Sequence, residues 1–526
     1  MELFAVAVVA APLALLAVWV YAQSAPGMRP RGLLDFARVA TLAALAIAVV
    51  AGVSVALYGP LTTPTIGSEG LGLSLRLDAV SAVMFLLVAF VGAIVVEYSR
   101  NYMDGDARQG VFTGRLCLTL ASVVLLVLSG NLVMLVLAWI GTSLALQTLL
   151  LFYAERPKAV IAGRKKFITA RMSDALLIGA AMLLYQAFGT ADIGAILSAA
   201  TQAEASTTIA VAALLLVGAA LLKSAQFPFH GWLPEVMETP TPVSALLHAG
   251  IINAGGFLIV RFADVMLLSA ASLHLLAIIG GFTALFGAVV MLTQTSIKVS
   301  LAWSTVAQMG FMMLQCGLGA FALAVLHIVA HSLYKAHAFL SSGSVIDIAR
   351  TSWVPEKTPP RVSHVLLALA LALVLYTGIG AGFGLAGDVA PQILALGAIL
   401  IMGLTLFIAQ SAAGKLNAYV IGRTLAAATT VTIAYFVLQG GAQMLLADTL
   451  PPPPAPGPFA YAIMALAVAS FAAVTVLQII EPSRAATPFW RAARVHIANG
   501  LYVNSLFDRF VGAFDRPAAH KQGGAQ

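Results

Sequence analysis

Three basic side chains recur at four-residue intervals in the largely apolar stretch 327-HIVAHSLYK-335. His327, His331 and Lys335 can each take up and release a proton, and histidine does so near neutral pH. In a helix this spacing spreads them over about 80° of one face and about 12 Å of the axis. The pattern predicts a proton relay that runs partway along one helix. His337 falls off this face and is predicted to be a packing histidine.

Two other chemistries use histidine pairs at this spacing, and each lacks a requirement here. A zinc site needs a third ligand, and no HExxH glutamate accompanies the pair. Haem ligation fits the apolar surroundings, but two rings on one helix cannot reach opposite faces of a haem. We therefore predict proton transfer, with no metal and no cofactor in this chain.

A second candidate site lies in 222-LKSAQFPFHGWLPE-235, where Lys223 closes a run of small apolar residues. Pro228 follows, and because proline cannot donate a backbone hydrogen bond it is predicted to break the helix. A break at membrane depth is tolerated where the backbone lines a cavity, so Lys223 is expected to face water and exchange a proton. The alternative is a lysine that extends to the lipid headgroups.

Other ionisable residues lie within or beside apolar segments, where a charge costs about 2.5–3.5 kcal/mol and needs a reason. We predict that His248 and Lys298 belong to the same ion path. The possible charge partners of the path lysines are Asp78, Glu97, Arg171, Asp174 and Glu238.

Membrane-spanning helices must hold these groups, because the chain has too few charges for a soluble protein. Of 526 residues, 61% are hydrophobic and 9% are charged, whereas soluble domains carry about 25% charged residues. We predict an all-α polytopic membrane protein with about fifteen transmembrane helices of about 20 residues each. The segments are 3–22, 36–58, 78–98, 113–129, 132–153, 167–187, 208–226, 242–260, 265–292, 297–316, 320–346, 363–382, 390–410, 418–440 and 459–480.

Basic residues cluster in alternate loops, which predicts the orientation. By the positive-inside rule, the N-terminus is periplasmic and the C-terminus cytoplasmic in a bacterial inner membrane. Lys165 and Lys166 are counted in one of the cytoplasmic loops. The net charge of +7 then reflects membrane topology, and no nucleic-acid partner is expected. The tail 483–526 is predicted to be an amphipathic segment that lies on the lipid surface or docks a partner.

Several motifs resemble the antiporter-like subunits of respiratory complex I and of multisubunit cation/proton antiporters. They are 76-RLDAVS-81, 165-KKFITARMSD-174, 222-LKSAQFPFHGWLPEVMETPTPVSALLHA-249, 297-IKVSLAWSTVAQMGFM-312 and 327-HIVAHSLYKAHAFLSSGSV-345. The resemblance implies two inverted five-helix repeats, each with a broken helix, over 113–262 and 263–412. Residues 1–112 and 413–482 would add three N-terminal and two C-terminal helices.

By position, the resemblance also implies roles for the candidate residues. Lys223 would be the lysine of the broken helix, and His248 the histidine of the helix that follows. Lys298 would link two half-channels. The central chain would consist of His327, His331 and Lys335.

The chain departs from that family at informative positions. Ile140 replaces the glutamate that pairs with the broken-helix lysine, Ser296 replaces an acid, and 363–384 offers only His364 and Tyr376 near the second break. These departures are accompanied by two motifs, ETPTPVSALLHAGIINAGGFLIVR and KAHAFLSSGSV. In both respects the chain resembles the membrane subunit of DAB-type inorganic carbon accumulation complexes.

This narrower resemblance implies a partner, a large cytoplasmic zinc protein similar to a β-carbonic anhydrase. Its hydration of CO2 to bicarbonate would be made directional by flow of a cation, H+ or Na+, through this chain. The zinc is expected in the partner. Two other functions stay open: a proton-pumping subunit of complex I or of a cation/proton antiporter, and a non-conducting membrane anchor for a cytoplasmic enzyme.

Overall fold

The computed structural model describes residues 7–67, 72–343, 360–385, 387–412, 418–484 and 487–512. It is a helical bundle with one short antiparallel hairpin, in which β1 (Leu61–Thr62) pairs with β2 (Arg76–Leu77). Short 3-10 turns cover Val236–Glu238, Ile251–Asn253 and Gly500–Tyr502. The helices are α1 Ala10–Ala22, α2 Arg31–Tyr58, α3 Ala79–Tyr102, α4 Gln109–Val127, α5 Leu132–Leu150, α6 Pro157–Phe188, α7 Ile193–Ala200, α8 Thr207–Lys223, α9 Trp232–Glu235, α10 Thr241–Ala249, α11 Ala254–Arg261, α12 Ala263–Leu267, α13 Ala270–Met291, α14 Ile297–Gly317, α15 Phe321–Leu340, α16 Val362–Gly382, α17 Pro391–Ala412, α18 Ala418–Leu446, α19 Pro458–Arg484, α20 Pro488–Ala498 and α21 Val503–Gly512.

The helices confirm the predicted all-α membrane architecture. Over the described residues, 13 helical segments are long and apolar enough to cross a bilayer, with α10 and α11 counted as one. The apolar helices α1 and α8 are shorter, with 13 and 17 residues. The predicted number of about fifteen spans stays a prediction, as do the domain boundaries.

The helix pair α10–α11 lies at the centre of the bundle. In the most apolar 18-residue stretch of this pair 94% of the residues are buried, whereas in the corresponding stretch of α19 only 11% are buried. A buried helix has no lipid-facing side, so its polar residues can contact only other helices. His248, in α10, is therefore placed inside the protein.

Two interruptions expose backbone groups near this centre. Helix α8 ends at Lys223, and Pro228 lies in the irregular stretch 224–231 before α9. The predicted segment 242–260 is interrupted at Gly250, which the sequence analysis did not predict. The carbonyls of His248 and Ile252 beside that interruption accept side-chain hydrogen bonds from His331 and Ser224. Backbone groups freed at membrane depth are thus satisfied by side chains from other helices.

The stretch 363–384, which the resemblance assigns to the second break, differs from the first break. Its residues 363–382 lie within the continuous helix α16. The chain then turns at Gly384, where φ is +87°.

The start of α6 corrects one sequence prediction. The helix begins at Pro157, ten residues before the predicted start at 167, and proline is favoured at the first position of a helix. Lys165 and Lys166 therefore lie within α6 and not in a loop, and they are only 0% and 5% exposed. Their burial is possible because both side-chain nitrogens have oxygen partners.

Close contact between α13 and α14 yields a stability prediction. A Cβ at Gly280 would lie 2.6 Å from the Leu314 nitrogen, whereas one at Gly281 would lie 3.7 Å from the nearest atom, Leu314 Cδ1. We expect Gly280→Ala to lower the free energy of unfolding by about 1–3 kcal/mol because the helices must separate. Gly281→Ala, the matched control, is expected to be neutral or stabilising by up to about 1 kcal/mol. Thermal unfolding of the two variants in detergent tests this difference, and equal midpoints would contradict it.

Candidate proton path

Lys223 is buried at the end of α8, and its hydrogen-bond partners among the described residues are all neutral oxygens. Its Nζ donates to the Trp139 carbonyl at 3.1 Å, the Thr142 hydroxyl at 3.1 Å and the Ser143 hydroxyl at 2.7 Å. The same nitrogen lies 4.3 Å from the centroid of the Trp139 ring. Lys223 is 8% exposed, so it does not extend to the headgroups as the alternative interpretation required.

A second lysine, Lys166, lies beside Lys223. Its Nζ donates to the Ser143 carbonyl at 2.5 Å, so Ser143 accepts hydrogen bonds from both lysines. Both side chains line a cavity of about 20 Å³, together with Trp232 and Ile252. That volume is enough for one water molecule. The basic run 164–166 predicts a loop at Lys166, so its position in this site is not evident from the sequence.

The nearest predicted charge partner, Asp174, is engaged by an arginine on its own helix. Arg171 Nη2 lies 2.7 Å from Asp174 Oδ2, an ion pair one turn apart along α6. Asp174 acts on Lys223 through its charge, but among the described residues no carboxylate oxygen lies within 4.0 Å of Lys223 Nζ. Within the described part of the chain, no carboxylate thus replaces the glutamate that the resemblance implies at Ile140 as the direct ion-pair partner of Lys223.

A second polar cluster joins α10, α14 and α15. His248 Nδ1 is hydrogen-bonded to Thr305 Oγ1 at 3.0 Å, and Thr305 in turn donates to the Leu301 carbonyl at 3.0 Å. Lys335 Nζ donates to that same carbonyl at 3.0 Å. His248 and Lys335 are both fully buried. The cluster is a hydrogen-bonded connection between a histidine and a lysine inside the protein.

The other two histidines extend this cluster along α15. His331 Nε2 lies 3.2 Å from the His248 carbonyl, and the ring centroids of His327 and His331 are 5.9 Å apart. The three basic residues predicted at i, i+4 and i+8 thus lie one after another along α15. His337, predicted to be a packing histidine, is instead exposed on another face of α15, beside an apolar groove that includes Phe90.

The hydrogen bond of Lys298 is not to a member of either cluster. Lys298 is the second residue of α14, is half-buried, and donates to Thr241 Oγ1 at 3.1 Å. Thr241 also contacts the exposed Tyr102 hydroxyl at 3.4 Å. The role of Lys298 as a link between half-channels stays a prediction, whereas Lys335 occupies the buried position next to His248.

The other three predicted acidic partners, like Asp174, are paired with arginines instead of path lysines. Glu97 lies 3.5 Å from Arg38 and 3.7 Å from Arg100, and Glu238 lies 3.7 Å from Arg156. These side chains are 40% or more exposed except for Arg100, at 24%. They form surface ion pairs, which contribute little to stability.

Asp78 is the third of these carboxylates, and it is buried. Asp78 Oδ2 lies 2.6 Å from Arg261 Nη1 and 2.8 Å from Arg76 Nε, and Asp78 Oδ1 accepts from the Ser81 backbone N–H. Burial would raise the pKa of this carboxyl, but the charges of Arg261 and Arg76 and the hydrogen bond from Ser81 outweigh burial and hold the pKa well below its usual range. This group joins the start of α3 to the end of α11.

Another cluster connects the C-terminal segment to the bundle. The buried Lys165 lies 2.8 Å from Glu235 and also contacts Asp508 and Asn504 of α21. Phe507 of α21 packs edge-on against Phe229. Part of the tail is thus folded against the helix break next to Lys223. Its high content of apolar and basic residues fits the predicted amphipathic character.

Comparison with known proteins identifies the family. Residues 129–353 match the family described as NADH:quinone oxidoreductase/Mrp antiporter, and residues 65–113 match complex I chain 5 N-terminus. The probable inorganic carbon transporter subunit DabB2 of Halothiobacillus neapolitanus is 40% identical over 453 residues, which are 84% of this chain and 81% of that protein. The chain belongs to the antiporter-like membrane subunit family.

Other relatives of this antiporter-like subunit differ in how much of their length they share with it. The probable inorganic carbon transporter subunit DabB of Hydrogenovibrio crunogenus is 39% identical over 75% of this chain and 74% of its own. NADH-quinone oxidoreductase subunit L of Escherichia coli is 38% identical, but over 54% of this chain and 47% of its own.

Solved structures confirm the fold. The Mrp complex from Dietzia sp. gives a TM-score of 0.64 at 24% identity and covers 96% of this chain and 59% of that one. The archaeal membrane-bound sulfane sulfur reductase gives 0.60 at 19% identity and covers 96% of this chain and 99% of that one. The protein is a multi-pass membrane subunit of the cation-conducting antiporter-like class.

Proposed function

We propose that this chain conducts protons across a bacterial cytoplasmic membrane and thereby energises a cytoplasmic, DabA-like zinc subunit similar to carbonic anhydrase. The observation that carries the proposal is the extent of the match. The DabB2 relative aligns with this chain over 81% of its length, whereas the E. coli quinone oxidoreductase subunit aligns over 47%. The N-terminus would be periplasmic and the C-terminus cytoplasmic, and the zinc would belong to the partner.

The buried polar clusters support a conducting function over a passive anchor. An anchor needs apolar helices only, whereas this chain keeps His248, His331, Lys223 and Lys335 buried within spans at an energetic cost. Histidine and lysine hold protons, whereas Na+ is bound by oxygen atoms. The composition of the clusters therefore favours H+ as the conducted cation.

Within this proposal Lys223 and the His248–Lys335 cluster have separate tasks. Lys223 lies at the helix break, next to the face covered by the C-terminal segment, and would exchange protons there. Thr305, which is hydrogen-bonded to His248, and Lys335 both donate to the Leu301 carbonyl. This shared acceptor does not itself relay a proton, but it holds Lys335 near His248, where a proton would pass laterally between helices. His331 and His327 would continue the transfer along α15.

Affinity purification of the full chain in mild detergent, with mass spectrometry and a zinc assay, tests the partner. We expect one large zinc-containing protein to co-purify. Co-purification of quinone-reductase or antiporter subunits without zinc would contradict the proposal and favour a complex I or antiporter assembly.

A further inference from the structure

We infer that Lys166 and Lys223 form a proton-sharing pair across Ser143, so that Lys166 is a further residue of the proton path. The inference rests on the proposed proton conduction and adds a residue to it. Its basis is the geometry of two buried amines around one serine. No carboxylate among the described residues lies within 4.0 Å of Lys223 Nζ to neutralise its charge.

The two amines are hydrogen-bonded to two different oxygens of one residue. Ser143 accepts from Lys223 with its hydroxyl at 2.7 Å and from Lys166 with its carbonyl at 2.5 Å. Both lysines line the same cavity of about 20 Å³. When one Lys223 N–H turns away from its hydroxyl acceptor, a single water there would accept that N–H and donate to the Lys166 nitrogen, since that volume holds one molecule and the lining offers polar partners.

The hydrogen bonds assign different protonation states to the two lysines. An ammonium has three N–H donors, and Lys223 has three acceptors, the Trp139 carbonyl and the Thr142 and Ser143 hydroxyls. Lys166 has one acceptor among the described residues, the Ser143 carbonyl. Its other two N–H groups would be unsatisfied if it were charged. The arrangement therefore fits a charged Lys223 and a neutral Lys166 whose lone pair can accept a proton.

The charges around the pair disfavour two ammonium groups at once. Helix α6 contributes Arg171 and Asp174, which form an ion pair with each other at 2.7 Å. The residues that line the cavity from α5, α9, α10 and the turn at Ile251–Asn253 include no ionisable side chain, and those from α6 and α8 include only the two lysines. Two positive charges this close, away from bulk water, repel strongly.

The transfer step is a simple exchange. An N–H bond of the Lys223 ammonium breaks, an N–H bond forms on the Lys166 amine, and the pair keeps one positive charge. The proton moves directly or through the bridging water, and nothing is oxidised or reduced. Lys166 is adjacent in α6 to Lys165, which contacts Glu235 and the C-terminal segment.

Proton flux in proteoliposomes that hold the purified complex tests the pair. We expect Lys166→Met to lower the flux driven by an imposed membrane potential at least tenfold, with an unchanged thermal midpoint. Lys166→Arg keeps the positive charge but cannot release a proton, and its flux should be equally low. Lys158→Met changes an exposed lysine of the same helix and should conduct like the wild type.

Two results would overturn the inference. Wild-type flux in Lys166→Met would show that Lys166 is not needed, and wild-type flux in Lys166→Arg would show that a fixed charge suffices. If the arginine variant does not fold, Lys166→Met alone decides. A wild-type complex without proton flux would instead refute the proposed function, which keeps the two failures distinct.

Discussion

Replacement of Lys223 by methionine is expected to reduce inorganic carbon accumulation in cells by about a hundredfold or more, as for loss of a group that must transfer the proton. Lys223 is the ionisable residue that ends α8 at the helix break, and its three acceptors hold its charge in one place. Methionine has a similar length and fills the same space without a proton-binding group. Lys223→Ala should have the same effect on accumulation.

The control is Lys158→Met, because Lys158 is an exposed lysine near the start of α6. It should accumulate carbon normally. The amount of each variant in the membrane and its co-purification with the partner must equal those of the wild type. Normal accumulation by Lys223→Met at normal protein level would contradict the role of Lys223.

Loss of Arg261 is expected to cause the largest change in stability. Asp78 and Arg261 are each about 1% exposed and lie 2.6 Å apart. Removal of one partner leaves a buried charge, so Arg261→Gln should lower the free energy of unfolding by about 3–5 kcal/mol. Because Arg76 remains 2.8 Å from Asp78, the lower end of that range is expected. Denaturation of the purified protein in detergent gives the value.

A double-mutant cycle isolates the pair. Asp78→Asn combined with Arg261→Gln should destabilise less than the sum of the single changes, because no buried charge is left unpaired. The exposed pair of Arg29 and Asp104 is the control, and Arg29→Gln should leave stability nearly unchanged. If the changes in the free energy of unfolding caused by Asp78→Asn and Arg261→Gln simply added, the ion pair would not be the source of the stabilisation.

The low pKa of Asp78 predicts how this effect depends on pH. A carboxyl whose pKa is lowered by folding contributes its full stability above the pKa of the unfolded chain, and the contribution is lost only as the pH falls through the lowered pKa. The difference between Arg261→Gln and the wild type should therefore stay constant between about pH 5 and pH 8. A difference that disappears within this interval would assign the effect to another group.

Sequence periodicity predicted the polar face of α15 because that information is local. His327, His331 and Lys335 are separated by single helical turns, and their common face follows from helix geometry alone. The end of α8 before Pro228 was predictable for the same reason, since a proline removes a specific backbone hydrogen bond.

The residues that were missed depend on partners distant in sequence. Lys165 and Lys166 formed part of a basic run, which is typical of a cytoplasmic loop, but Glu235 and Asp508 allow Lys165 to be buried. Arg261 follows an apolar segment and was not considered, although the isolated Asp78 required a positive partner. The glycines of 250-GIINAGG-256 were the available signal for the interruption at Gly250.

Proton uptake by proteoliposomes that contain the wild-type complex tests the central claim most directly. A potassium diffusion potential, negative inside, is imposed, and a pH-sensitive dye reports the interior. We expect rapid acidification that is absent from Lys223→Met and from protein-free vesicles and is independent of Na+. Wild-type vesicles that acidify no faster than protein-free vesicles would show that the chain does not conduct protons.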